Sequence, residues 1–292
     1  MTAIIFGSSG QDGFYLFKLL QEKGYKVIGI SRSEPHNFVD ITSFEAVCNL
    51  IAATKPAFIF HLAAISATAH ELLFPNFETI VRGSVNLLEA VKVFSPETKV
   101  FLSGSGLQFK NRGLPINEHA ELDANSSYSM ARIQSLYAAR YYQTFGLKIY
   151  FGYFFNHDSP LREAKHVSQM IASAVKRIES GSTEKIAIGN YDVKKEWGFA
   201  GDIVNAIWTL VNQENVSEAV IGTGQAYSIK QWLEVCFNLI NKNWEDHVEL
   251  KEAFMPEYDT LVSDPQTIFK LGWKPLVSFE NLAKMMVLDE QA

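Results

Sequence analysis

Cysteine is scarce in this chain: Cys48 and Cys236 are the only two in 292 residues. They stand far apart among apolar neighbours. That excludes a disulfide framework or a cysteine-built metal cluster, and both are expected to be buried packing thiols. Excess positive charge is missing too. With 26 Lys+Arg against 32 Asp+Glu the net charge is -6, so there is no broad electrostatic footprint for nucleic acid. Any phosphate must be held by a local site. No apolar run approaches the ~18 residues that cross a membrane. The opening MTAIIFGSSG has neither a basic n-region nor a small-residue cleavage site, so no signal peptide is expected and the cytoplasm is the expected compartment. Pro- or Ser-rich linkers, internal repeats and low-complexity tracts are absent. His70, His119 and His166 show no metal-ligand spacing, and no metal is expected.

What is present is ordinary globular material, 47% hydrophobic and 20% charged, enough for one large α/β domain or two lobes. The first half alternates. Strand-like runs at 3–6, 27–30, 57–62, 100–102 and 148–154 are separated by helical spacing at 14–21, 44–53, 76–94 and 128–145. Such alternation predicts a doubly wound parallel sheet covered on both faces. The second half is mixed, with helices predicted at 167–179, 203–211 and 229–240 and short strands at 187–189 and 220–221. It reads as a small cap. Trp232, Phe237 and the aromatic run 150–155 are expected in the core.

The first strand runs into GSSGQDG, residues 7–13, and then a helix. Gly7 allows the tight turn, Gly10 lets backbone approach a pyrophosphate, and Gly13 lets helix pack on strand. The helix N-terminus adds oriented N–H donors for the anion. No acid ends the second strand to take a ribose 2′-hydroxyl. Arg32 there suits a 2′-phosphate, or equally a stack on adenine, so NAD and NADP both stay open.

Tyr128 and Arg132 stand four apart at the head of a helix, hence on one face. A phenol beside a fixed cation is suited to exchanging a proton with an alcohol, because the cation stabilises phenolate. Ser103 and Ser105 end the fourth strand, at the sheet edge where ligands bind, and a hydroxyl there can hold a substrate oxygen.

Together these residues resemble the extended short-chain dehydrogenase/reductases, and within them the GDP-mannose 4,6-dehydratase branch. GSSGQDGFYL at 7–16 resembles that branch's GxxGQDGxYL, and HLAA at 61–64 its NLAA. FNHDSP at 155–160 is similar to FNHESP, and GNYDVKKEWG at 189–198 to GNLDAKRDWG. Asp264-Pro, LGWKP at 271–275 and VSFE at 277–280 complete a likeness that runs almost end to end. The resemblance implies a Rossmann lobe at 1–157, with 190–210 returning to it, and a substrate-binding lobe at 158–189 and 211–292. It implies cofactor contacts at Ser9, Gln11, Asp12, Asp40, Ile41, Leu62, Ala63 and Ala64 besides the glycines, Arg32, Tyr128 and Arg132. It implies substrate contacts at Ser66, Ser105, Asn156, Val167, Lys195, Trp197 and Glu257, and a homodimer through the 76–94 and 128–145 helices.

Several departures bear on function. The family's YxxxK is YxxxR here, with Arg132 in the lysine's place. The dehydratases carry a glutamate two residues after the catalytic threonine, where it handles the C5 proton. If Ser105 matches that threonine, Leu107 replaces the glutamate; if Gly106 does, Gln108 replaces it. Neither can titrate. Glu118, Glu121 and Asp123 follow in a loop and read as solvated charge. The arginine-rich segment after the second strand is shortened to residues 31–40, which favours NAD and weakens the case for a tetramer. Lys195 replaces an arginine. The RPxE segment has become FMPE at 254–257, without its arginine.

The resemblance and its departures point to a GDP-sugar 4-dehydrogenase that has lost dehydration, similar to the GDP-heptose 4-dehydrogenases of surface-polysaccharide pathways. The heptose comes from the resemblance alone. Two alternatives stay open: a GDP-4-keto-6-deoxy-sugar reductase, which also needs no glutamate, and a nucleotide-binding protein without turnover.

Overall fold

A computed structural model describes residues 1–32, 39–65, 67–251 and 255–289. The chain forms β1 (Thr2–Phe6), α1 (Gln11–Glu22), β2 (Lys26–Ile30), α2 (Phe44–Thr54), β3 (Phe58–His61), α3 (Leu73–Asn76), α4 (Gly83–Phe94), β4 (Lys99–Ser105), α5 (Ser127–Gln143) and β5 (Ile149–Phe154). There follow β6 (His157–Asp158), α6 (Val167–Glu179), β7 (Ile186–Ile188), β8 (Lys194–Glu196), β9 (Gly198–Phe199), α7 (Ala200–Val211) and β10 (Glu218–Ile221). Last come β11 (Ala226–Ser228), α8 (Ile229–Asn238), β12 (Val248–Leu250), β13 (Thr260–Leu261), α9 (Gln266–Lys270) and α10 (Phe279–Leu288).

The main sheet is parallel, in the order β2-β1-β3-β4-β5-β10. Its strands alternate in which face they feed. Ile4, Ile59, Leu102 and Phe151 join α2, α4 and α5 in one core, while Ile5, Phe60, Phe101 and Ile221 join α1 and α7 in the other. Both faces being covered explains why these strands read as apolar runs. The order turns between β1 and β3. That switch point opens a crevice at the carboxyl ends of the strands, beside Gly7 and Leu62.

Serine hydroxyls start four of the helices. Ser43, Ser126, Ser228 and Ser278 each accept a first-turn backbone N–H of α2, α5, α8 and α10. Capping boxes at Ser126 and Ser228 fix two of these starts further. A third core joins α6, α8 and α10 around Trp197, Trp232 and Phe279; Trp197 stacks on Trp232 at 4.5 Å between ring centroids.

Three expectations need correcting. A lobe boundary at 211 is displaced, because β10 adds the sixth strand to the main sheet and Ile268 and Trp273 pack under it. The helix expected at 76–94 is continuous from Leu73 but winds as a π-helix over Phe77–Arg82. Cys236 is buried, whereas Cys48 on α2 is only half-buried.

Candidate active site

β1 delivers the chain into a loop that tolerates only glycine at two places. Gly7 has φ +92°, and a Cβ on it would lie 2.8 Å from the Ala63 backbone nitrogen. A Cβ on Gly13 would lie 2.1 Å from the Gly7 carbonyl oxygen. The loop therefore touches both the β3 end and the first turn of α1. Gly10 caps α1 without a side chain, so no side-chain acceptor occupies the first-turn N–H groups.

Gln11 and Asp12 do something the sequence did not reveal. Gln11 Nε2 donates to the His157 carbonyl at 3.2 Å, and Ser159 Oγ donates to Gln11 Oε1 at 3.0 Å. Asp12 Oδ1 lies 2.9 Å from His157 Nε2, while the other ring nitrogen faces the Phe155 carbonyl at 2.8 Å. With an acceptor at each nitrogen the ring is suited to carrying both protons. Burial opposes that charge, but Asp12 outweighs it and holds the imidazole above its ordinary pKa. GQDG and FNHDSP are thus halves of one joint.

Asp158 extends the joint into the second lobe. It accepts from Ser168 Oγ at 2.6 Å, at the start of α6, and lies 3.8 Å from Lys195 Nζ on β8. Burial works against the carboxylate, yet Lys195 and Arg162 hold its pKa below the usual value. Burial pushes the Lys195 ammonium down, partly offset by Asp158. Lys195 also sits 4.2 Å from the centroid of the Trp197 ring. Glu196 is fully buried and accepts from the backbone and hydroxyls of Thr223 and Ser263.

At the head of α5, Arg132 Nη2 donates to the Tyr128 hydroxyl at 3.1 Å. Its Nη1 donates to the Ser103 carbonyl and, at 2.9 Å, to Ser103 Oγ. Arg132 Nε is buried and has no protein partner among the described residues. Behind this group His61 is 2% exposed. Burial, then the nearby Arg132 charge, lowers its pKa to about 3, so it is neutral. Its Nε2 lies 3.1 Å from the Thr79 carbonyl in the π-helical turn, which makes Nε2 the protonated nitrogen. Ser105 Oγ accepts the Leu107 N–H at 3.2 Å, leaving its own proton to donate.

The glycine loop and the head of α5 face one cavity of about 450 Å³. Of the expected cofactor residues, Gly7, Ser9, Gly10, Gln11, Asp12 and Gly13 line it, as do Leu62 and Ala64 from the β3 end. Tyr128, Arg132 and Ser105 face it, as do Asn156 and Glu257. Ala63 stands behind Gly7.

Others are elsewhere. Arg32 is exposed at the end of β2. Asp40 caps Thr42 and is also exposed. Ile41 is a core residue. Val167 packs into the third core. Trp197, 3% exposed, gives its indole N–H to the Tyr227 carbonyl. Lys195 is buried against Asp158 rather than open to the cavity. Ser66 lies outside the described residues, as does Phe254.

Sequence reasoning missed Thr68, Arg162, His166 and Tyr258, which also line the cavity. Arg162 and His166 form a basic i,i+4 pair directly after FNHDSP, which was the available signal. Arg162 Nη2 lies 3.2 Å from His166 Nδ1, and burial, then the Arg162 charge, lowers the His166 pKa to about 4. Thr68 donates to the Glu257 carboxylate, and Tyr258 to Asn156 at 3.4 Å, so the segment 255–258 leans across the opening. The loop acids are not at the cavity: Glu121 pairs with Lys110 and Arg112, and Glu118 accepts from Thr267. A larger cavity of about 780 Å³, between α1, α7 and α10, contains none of the catalytic candidates.

A Rossmann sheet with a tyrosine–cation pair beside its glycine loop defines the extended short-chain dehydrogenase/reductase class. Within that class the profile of the GDP-mannose 4,6 dehydratase family matches residues 4–286, and the chain belongs to that family. GDP-mannose 4,6 dehydratase 1 of Arabidopsis thaliana is 33% identical across 99% of this chain and 89% of its own. The Homo sapiens GDP-mannose 4,6 dehydratase is 30% identical across 98% and 90%. Among solved structures, RMD from Pseudomonas aeruginosa complexed with NADPH superposes with a TM-score of 0.87 at 18% identity, covering 99% of this chain and 98% of that one. The Thermus thermophilus UDP-glucose 4-epimerase complex with NAD gives 0.82 at 20%, covering 98% of each. These two share the fold.

Proposed function

We propose that this chain is an NAD(P)-dependent oxidoreductase that converts the C4 hydroxyl of a GDP-linked sugar to a ketone without removing water. One observation carries the reading. Beyond Ser105 the cavity wall is Leu107, while Gln108 is fully buried with its Oε1 on the Ser105 amide. Neither residue supplies a carboxylate to take the C5 proton that elimination must remove. The family's GDP-mannose relatives support a GDP-sugar as substrate.

The residues present suit a dinucleotide. No Cβ fits at Gly7 or Gly13, and the α1 N-terminus carries no side-chain cap, which leaves its first-turn N–H groups for a pyrophosphate. When bound, NAD(P) supplies the acceptor for the hydrogen and two electrons that C4 gives up. NAD is the first choice and NADP the second, since Arg32 alone speaks for a 2′-phosphate. Ser105 donates its free proton to the sugar oxygen. Tyr128 takes the hydroxyl proton as a phenolate, the form whose charge the Arg132 Nη2 donor stabilises before the transfer, and becomes the neutral phenol as the hydride leaves C4. Arg162, at the cavity beside the uncapped start of α6, holds the diphosphate. A side chamber of about 320 Å³ meets the cavity at Leu107 and adds Asn111, Asn125 and Ser126. That extra room, walled by Phe109 and Leu261 as well, supports a sugar extended past C6, of the GDP-manno-heptose type, as well as GDP-mannose.

The experiment is product mass after incubation with NAD or NADP and either GDP-sugar. Loss of two hydrogens, with absorbance rising in the reduced-nicotinamide band, is expected. Loss of water would overturn the reading and give Asp12, Glu163 or Glu257, the cavity's acids, a role in elimination. Cofactor binding without turnover would favour a nucleotide-binding protein. The chain also pairs as a homodimer in this proposal, through Phe74, Phe77, Val85 and Val93 beside Tyr137 and Tyr141, all exposed. A monomer in light scattering at micromolar concentration would reject the pairing.

A further inference from the structure

We infer that Ser103 is a positioning residue for the proton-transfer pair, the clamp that lets an arginine serve at position 132; the inference rests on the proposed oxidation. An ammonium is a point charge that pivots on a flexible stem, whereas a guanidinium is a planar fork whose usefulness depends on its orientation. Here that orientation is set from one side. Ser103 gives Arg132 Nη1 two acceptors, its carbonyl and its Oγ, the latter at 2.9 Å. The serine hydroxyl cannot turn away, because its own proton goes to the His61 carbonyl at 3.0 Å. With Nη1 held, planarity leaves Nη2 on the Tyr128 oxygen at 3.1 Å, and the guanidinium carbon lies 5.0 Å from the centroid of the Tyr128 ring.

Ser103 is 2% exposed and Arg132 5%, so water does not compete for these contacts. The backbone under the clamp is fixed as well. Ser103 sits inside β4, in register with Gly152 of β5, and the β3 residue that accepts its proton is the last of that strand. The two strand-end serines thus divide the work. Ser103 has its proton and its acceptor bonded within the protein, and Ser105 keeps a proton for substrate.

A double-mutant cycle with Ser103→Ala and Arg132→Lys tests this in the intact enzyme. Ser103→Ala alone is expected to lower kcat about tenfold, with KM within about twofold of wild type. In the Arg132→Lys background the same change is expected to cost less than about threefold, because an ammonium does not depend on the fork being held. Equal losses in both backgrounds, or a loss falling on KM, would mean that Ser103 merely packs β4, and the inference fails. A second readout needs neither sugar nor cofactor. Guanidinium rotation by arginine side-chain NMR, with Arg132 assigned from the Arg132→Lys spectrum, is expected to be slow in wild type and fast in Ser103→Ala. Unchanged rotation overturns the clamp. Should wild type turn over no GDP-sugar, the functional reading fails while the rotation experiment still decides the clamp.

Discussion

Two regions of this molecule carry its recognisable motifs, and they use them differently. Where residues 155–160 meet the glycine loop, Gln11, Asp12, His157, Asp158 and Ser159 are all bonded to other protein groups. Only Asn156 of that segment combines the motif with an open face on the cavity and a single weak partner, Tyr258. At the head of α5 the emphasis is reversed: Tyr128 and Arg132 end in the cavity, with the Arg132 Nε unmatched. The first region joins two lobes and the second is suited to chemistry. A motif's specificity therefore says that its residues depend on one another, without saying that they touch a ligand.

Three experiments sharpen or break that comparison. The largest effect is expected on stability from the joint. Lys195→Met leaves the Asp158 carboxylate buried without its ammonium, and removing one partner of a buried pair costs roughly 3–5 kcal/mol. Denaturant unfolding should show it; a loss below about 1 kcal/mol would mean Asp158 has Arg162 as a sufficient partner. Next, Tyr128→Phe should reduce turnover by ~10²-fold or more while leaving the unfolding midpoint near that of wild type. A variant that keeps its rate would break the comparison outright.

The smallest effect is a pH dependence. His157 has a pKa raised by Asp12 above its ordinary value of about 6.5, despite burial. A raised folded-state pKa means the folded protein holds the proton more tightly than the unfolded chain. Its contribution is therefore complete below about pH 6.5 and is lost as pH rises through the elevated folded value. The melting temperature should fall over that window, and His157→Gln should flatten the fall. A fall of the same size in the variant would assign it to another group.

Much of the fold was legible, because the sheet's alternating faces are both buried and α1, α2 and α5 begin at a glycine or a serine cap. What escaped was the π-helical turn at Phe77–Arg82, since its residues keep ordinary helical spacing and differ only in hydrogen-bond partner. The short strands β6, β8, β9 and β11–β13 escaped as well, because pieces of two or three residues show no period. At the site, local chemistry picked out the glycines, Tyr128, Arg132 and Ser105, and the fold places them at one cavity. Trp197 and Lys195 were misplaced because a sequence shows that a tryptophan or lysine is present, not which way the strand turns it; here the core claims both. Arg162, His166, Thr68 and Tyr258 reach the cavity from separate stretches that meet only once the second lobe has folded.

The joint at Gln11, Asp12, His157 and Ser159 has a consequence for how this chain can diverge. Because Gln11 and Asp12 answer to residues nearly 150 positions away, neither is free to drift alone. Losing the Asp12 charge strands a buried imidazolium, and losing the imidazole strands a carboxylate. Descendants of this sequence should therefore alter these four positions in concert or leave them untouched, while the cavity wall at Leu107, tied to Ile80, Tyr128 and Ala131 by apolar packing alone, stays open to inheritance of new chemistry.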